Sequence, residues 1–235
     1  MHIHLFHKIN SRSQRILWLL EELNLDYELV FGDTDISTQE FEPYQNNHPP
    51  TKFPTVHIFN DHSTDVMTLA ETAAIADYLS HQSNDLGISQ LSSSEILHYY
   101  FWKNFAEATL MPDLALKQIF AQIVERTPFP VRFISKFLKF GFDRGYLNQA
   151  LNQHLFMIDE HLKTRQYLAG NQFSIADLLL WFPLLACMQS NTEFESLPKI
   201  QRYLQHLQNR PAFQRALEKG QWSAVQFRSY WSKAW

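Results

Sequence analysis

A single cysteine, Cys187, stands in 235 residues. One thiol closes no internal disulfide, so the chain falls outside the small cross-linked secreted class and suits a reducing compartment. Glycine is scarce too, six residues and none grouped, which excludes the glycine-rich loops that cradle phosphates. There is no basic surplus: 20 Lys and Arg stand against 24 Asp and Glu, a net charge of −4. Neither nucleic acid nor anionic lipid is indicated as a partner. The longest apolar run lies near LLLWFPLLACM, residues 178 to 188, short of the roughly 18 residues a membrane span needs. The opening MHIHLFHKINSRSQR has no charged start, apolar run and cleavage site of a secretory signal. The expected protein is cytoplasmic, with no transmembrane segment.

Hydrophobic residues make up 45% and aromatics 14% of the chain, enough for a folded core. The first part alternates strand and helix patterns. IHLF (3–6) and YELVF (27–31) read as strands around a helix, SQRILWLLEELN (13–24), in which Ile16, Leu19, Leu20 and Leu23 recur at helical spacing. Such a unit implies parallel strands joined by a right-handed crossover. A polar connection follows, with a short helix expected near TQEFEPY. Then come PTVHIF (54–59), a turn at NDHS (60–63), a return strand DVMTL (65–69) and a helix ETAAIADYLSHQ (71–82). The polar stretch after it reads as a linker. Beyond it, periodic helical segments cover roughly 94–123, 130–164, 174–190 and 197–219, interrupted at Pro112, Pro128, Pro130, Pro183, Pro198 and Pro211. The expected domains are 1–83, a linker 84–92, and an all-helical 93–235.

Read from local pattern alone, the polar residues have ordinary roles. Ser11 or Ser13 can cap the first helix, Ser13 being the plainer cap. Arg15 is structural or a secondary electrostatic aid, Lys52 is a loop lysine, and Glu71 with Thr72 opens a helix with a favourable charge. Pro54, before a strand, is a first residue or an edge. Trp102, Phe105 and Thr109 form a stripe that is usually core. Ser174 and Asp177 make a capping box, flanked by Phe173 and Leu178 as a hydrophobic staple. The tail WSAVQFRSYWSKAW, with three tryptophans, is expected to pack back on the protein. His2 and His4 share a strand face, but no carboxylate or cysteine stands at a recognisable ligand spacing, so no metal site is expected. There is no Cys-x-x-Cys in the first loop, and Cys187 falls in an apolar helix as a small core residue.

Four stretches resemble the glutathione transferase family: NSRSQRILWLLEEL (10–23), HPPTKFPTV (48–56), LAETAAIADYL (69–79) and YLAGNQFSIADLLLWFPL (167–184). A fifth, TPFPVRFIS (127–135), resembles a bacterial and fungal subgroup with a serine in the first loop. The resemblance implies an N-terminal thioredoxin-like α/β domain, a C-terminal all-α domain and a homodimer. It implies glutathione as co-substrate, no metal, and conjugation of the glutathione thiolate to small apolar electrophiles in detoxification. Glutathione-dependent peroxidase or isomerase chemistry at the same site, or a non-catalytic scaffold, are the alternatives. By this resemblance Ser11 (alternatively Ser13) is catalytic, donating to the sulfur. The Phe53–Pro54 bond is cis, and the Phe53 backbone pairs with the cysteinyl unit. Lys52 meets the glycyl carboxylate, Glu71 the γ-glutamyl ammonium, and Thr72 the γ-glutamyl carboxylate. Trp102, Phe105 and Thr109 border the electrophile pocket. Two departures stand out. Thr72 replaces the commoner serine, and TKFP carries Thr51 and Phe53 where smaller residues are usual.

Overall fold

The structure is a computed structural model that describes residues 1–32, 52–59, 66–189 and 196–235. The expected helix near TQEFEPY and the turn at 60–63 lie outside the described residues. The chain divides into two compact units, 1–91 with 207–224, and 92–206 with 225–235.

The first unit is built on a four-stranded sheet of order β2-β1-β3-β4. Its strands are β1 (His2–His7), β2 (Tyr27–Phe31), β3 (Thr55–Phe59) and β4 (Val66–Ala70). β1 runs parallel to β2, and β3 runs antiparallel to both β1 and β4. Helices α1 (Ser13–Glu22) and α2 (Thr72–Ser83) pack on the sheet and on each other. Side chains alternate between faces along a strand. Ile3 and Leu5 of β1 therefore share a face with Val56 and Ile58 of β3, and all four are buried. His7 lies on that same side and reaches Ser13 at the start of α1. The other face carries His2, His4, Phe6, His57 and Phe59 from the same two strands.

Residues 207–224, which the sequence reading puts with the helical domain, pack in this first unit. There α9 (Pro211–Lys219) lies along α1. The reason is chemical. Arg210 donates twice to Glu22, at 2.6 and 2.8 Å, while Arg215 and Lys219 both reach Glu21. The Trp18 and Phe213 rings meet edge-on at 4.9 Å. Gly220 closes the contact. A Cβ there would come within 2.4 Å of Gln14 Oε1 and 2.9 Å of Leu17 Cδ2.

The second unit is helical among its described residues: α3 (Ser93–Phe105), α4 (Met111–Arg126), α5 (Arg132–Phe142), α6 (Asn148–His161), α7 (Ile175–Met188), most of α8 (Pro198–Gln208), and α10 (Ala224–Ser232). One-turn π segments, Ala106–Leu110 and Asp143–Leu147, join α3 to α4 and α5 to α6. The first explains why Pro112 interrupts nothing. The turn widens just ahead of it, with Met111 N–H donating to Ala106 O, and helix geometry continues into α4. Pro183 likewise sits inside α7 without ending it. That helix is buried nearly throughout, so packing overrides the local preference. The tail forms α10, whose Phe227 and Trp231 pack against Phe182 at 5.3 and 6.3 Å.

Candidate functional site

The sheet register gathers three loops at one end of the first unit. Phe6, near the end of β1, lies opposite Thr55, the first residue of β3, and Thr55 lies opposite Ala70, the last residue of β4. The loop carrying Ser11 leaves β1 at this end. The Lys52-Phe53-Pro54 stretch enters β3 here, and Glu71 with Thr72 follows β4 here. Residues far apart in sequence are thus brought to one edge by strand direction alone.

Ser11 and Ser13 have different surroundings in the structure. Ser13 is the first residue of α1 and is buried. Its Oγ accepts from Lys8 N–H at 3.1 Å and lies 2.9 Å from His7 Nδ1 and 3.2 Å from Lys8 O. Ser11, only partly buried, accepts Ser13 N–H at 3.2 Å, the turn bond that leads into the helix.

The proton positions follow from chemistry. His7 Nε2 faces the Gly220 carbonyl at 3.0 Å. A carbonyl only accepts, so that nitrogen carries the hydrogen. Burial holds His7 below its ordinary pKa, against the opposing pull of this bond, so the ring is neutral and Nδ1 has a lone pair. The Ser13 hydroxyl supplies the proton that Nδ1 or the Lys8 carbonyl requires. The 2.8 Å contact between the two serines is therefore donated by Ser11. Ser13 is locked, and Ser11 is the hydroxyl whose proton can be redirected. Sequence reasoning missed His7. Its role depends on Gly220, which no local pattern connects to it.

Phe53–Pro54 is cis, as the sequence reading expects. The Lys52 side chain is exposed, and its carbonyl accepts from Thr55 Oγ1 at 2.8 Å. The Phe53 ring rests on Gly32 just after β2, where a Cβ would come within 2.7 Å of its Cζ. The bulk of Phe53 is thus accommodated by a glycine. Glu71 precedes α2 with φ 71° and ψ 119°, a conformation rare for a residue with a side chain, and it is exposed. Its carbonyl accepts from Ile75 N–H at 3.0 Å, starting the helix. Thr72, the first residue of α2, is 4% exposed.

The other candidates sit in the helical unit. Trp102 and Phe105 are buried, packed against His161 (4.7 Å) and His154 (5.2 Å) respectively, and Thr109 lies half-buried in the π segment. Asp177 fulfils its capping role and more. Its Oδ2 accepts Ser174 N–H (2.9 Å) and Oγ–H (3.0 Å), while Oδ1 accepts Leu168 N–H and Tyr203 O–H, both at 2.8 Å. Burial pushes its carboxyl up to about 6 against those four donors. A second capping box, missed in the sequence, starts α3, where Ser92 pairs with Glu95. Burial pushes the Cys187 thiol up to about 12, which fits a core residue. The sheet also changes the reading of the histidines, because it sets the carboxylate of Glu28 beside His4.

Residues 1–81 match the family described as "Glutathione S-transferase, N-terminal domain", and residues 144–211 match "Glutathione S-transferase, C-terminal domain". The chain is 32% identical over 216 residues to Glutathione S-transferase 3 of Schizosaccharomyces pombe, covering 92% of this chain and 86% of that protein. It is 26% identical to Glutathione S-transferase 1 of Saccharomyces cerevisiae, covering 89% and 92%. A solved glutathione S-transferase from Actinobacillus pleuropneumoniae superposes with a TM-score of 0.70 at 24% identity, covering 94% of each chain. No described helix is long and apolar enough to cross a membrane. With a thioredoxin-like sheet unit, a helical unit and these matches over both, the chain belongs to the glutathione S-transferase family.

Proposed function

We propose that the chain is a serine-type glutathione transferase that joins the glutathione sulfur to small apolar electrophiles, with Ser11 as the thiolate's hydrogen-bond donor. The observation that carries this reading is the serine pair. Ser13 is committed to His7 and Lys8, which leaves the partly exposed Ser11 at the N-terminus of α1 with a movable proton. A free thiol ionises near pH ~8.5, and lowering that by about two units needs about 2.7 kcal/mol. A hydroxyl donor beside a helix N-terminus is a reasonable source of that amount. In the reaction the thiol proton passes to solvent. The thiolate electron pair forms the new carbon–sulfur bond, and the electrophile's leaving group departs with its own pair or its π bond takes up the charge.

The remaining assignments follow the same edge. Lys52 meets the glycyl carboxylate, and the backbone of Phe53 ahead of Pro54 pairs with the cysteinyl unit as an added rung of sheet. The Glu71 carboxylate meets the γ-glutamyl ammonium, and Thr72 holds the γ-glutamyl carboxylate at the N-terminus of α2. The constrained backbone of Glu71 supports its place here. No step requires a metal. For the electrophile the candidates are Trp102 and Phe105, both buried, and the half-buried Thr109.

A cytoplasmic homodimer is part of the reading. Large apolar side chains at the surface of the helical unit support self-association, among them Leu97, Phe101, Ile119, Ile123, Phe133 and Phe137. The test is retention on immobilised glutathione together with turnover of an activated aryl halide. Retention and turnover that Glu71→Ala and Lys52→Ala both weaken are expected. A chain neither retained nor active would be a scaffold.

A further inference from the structure

The sheet face opposite the aliphatic side carries a second constellation, away from the edge just described. β1 begins with His2 and His4, two residues apart on one face, and the parallel register sets Glu28 of β2 directly beside His4. One ligand atom from each of His2, His4 and Glu28 falls within 4.8 Å of the others. The separation of His4 Nε2 from Glu28 Oε2 is informative. At 3.4 Å it is long for a nitrogen–oxygen hydrogen bond, which prefers about 2.7–3.2 Å. It matches the edge of a tetrahedron whose corners lie about 2.0–2.1 Å from a central ion.

A further contact supplies what a metal-binding histidine needs. His2 Nδ1 lies 2.8 Å from Asp26 Oδ2. The carboxylate fixes the tautomer, with the hydrogen on Nδ1 and the lone pair on Nε2, the arrangement typical of a histidine that binds a metal through its other nitrogen. Phe59 backs the group from β3, its ring 4.5 Å from that of His4 and 6.2 Å from that of His2. The two imidazoles meet edge-on at 5.1 Å.

We propose that His2, His4 and Glu28 bind a divalent transition-metal ion, zinc foremost, with Asp26 orienting the His2 ring. Two imidazoles and one carboxylate suit zinc, and a solvent molecule completes four-coordination. The pairing explains why the sequence did not reveal the site. The histidines come from one strand and the carboxylates from the start of the next, joined only by the register. The site lies at the beginning of β1, and Ser11 follows its end. At about 3.3 Å per residue the end of the strand lies about 10 Å beyond His4 and about 16 Å beyond His2. The ion therefore acts as a clamp between β1 and β2, not as a participant in thiol chemistry.

The test uses the full chain after treatment with a chelator, with zinc chloride as the probe and a chromophoric chelator as competitor. One zinc per chain at micromolar affinity or better is expected, with a rise in the thermal midpoint. His4→Gln and Glu28→Gln should each weaken binding about 10- to 100-fold. His154→Gln, in the helical unit, should leave it unchanged. Glu28 has a side chain 63% exposed, so its variant remains folded and decisive even if the half-buried His4 does not tolerate change. Absence of binding at 100 µM zinc, roughly 100 times the expected dissociation constant, would overturn the proposal. So would zinc binding that neither His4→Gln nor Glu28→Gln alters, since the ion would then sit on other histidines. Turnover with glutathione is independent of this outcome, so failure here leaves the transferase reading standing.

Discussion

Replacing Asp177 with alanine removes one carboxylate and four acceptor interactions at once. The Ser174 and Tyr203 hydroxyls can turn elsewhere, but the backbone N–H groups of Leu168 and Ser174 cannot. Each buried donor left without a partner costs about 1–3 kcal/mol, so the loss is about 2–6 kcal/mol. The carboxyl, raised to about 6 by burial, makes this loss pH-dependent. A group whose folded pKa is raised stabilises most below its unfolded value, near pH ~4, and that part is lost as pH rises through the folded value. About two units correspond to about 3 kcal/mol in full, of which about 1.4 kcal/mol appears between pH ~7.5 and ~5. Urea unfolding of wild type and Asp177→Ala at those two pH values should therefore show the larger penalty in acid. The box at the start of α3 gives the opposite sign. Glu95 is held below its ordinary range by bonds from the Ser92 side chain and backbone, so its contribution grows as pH rises. An Asp177→Ala penalty that is equal at both pH values, or larger at the higher one, would refute the reasoning.

Glu21, 7% exposed, should make the first unit acid-sensitive. Its burial alone would raise the carboxyl, but bonds from Lys219, Tyr27 and Arg215 bring it down to about 2. That stability is present above pH ~4.5 and lost as pH falls toward ~2, up to about 3 kcal/mol, and Glu21→Gln should flatten the urea midpoint over that range. Cys187 should resist thiol reagents in the native protein and react fully in denaturant, as mass spectrometry would show. Gly32→Ala should push the Phe53 ring aside, raising KM for glutathione more than it lowers kcat and changing stability by no more than about 1 kcal/mol.

What the sequence revealed was mostly local. The strand-forming residues of YELVF and the helical spacing of Ile16, Leu19, Leu20 and Leu23 place β2 and α1 nearly to the residue because both signals are local in the chain, although α1 is buried continuously from Ser13 to Glu21 and not on one face alone. The Ser174–Asp177 box was legible for the same reason, but Tyr203 and Leu168 as further donors were not, since they arrive through packing. α9 reads as one more amphipathic helix. Nothing in its pattern says that its basic residues answer Glu21 and Glu22 on α1. The serine pair shows the limit most clearly. Spacing left Ser11 and Ser13 both open as caps, and only His7 and Gly220, brought together by the fold, show that Ser13 is held in place. No local pattern groups Ser11, Pro54 and Glu71; the family resemblance assigns them to one ligand, and the strand directions set their three loops at one edge of the sheet.

The most direct measurement is a pH titration of the ultraviolet thiolate absorbance of bound glutathione in wild type, Ser11→Ala and Ser13→Ala. The account predicts a thiol pKa about two units below that of free glutathione in wild type, and close to that low value in Ser13→Ala. In Ser11→Ala it should return toward the free value. A low pKa that survives loss of the Ser11 hydroxyl, or one that vanishes only with Ser13, would contradict it.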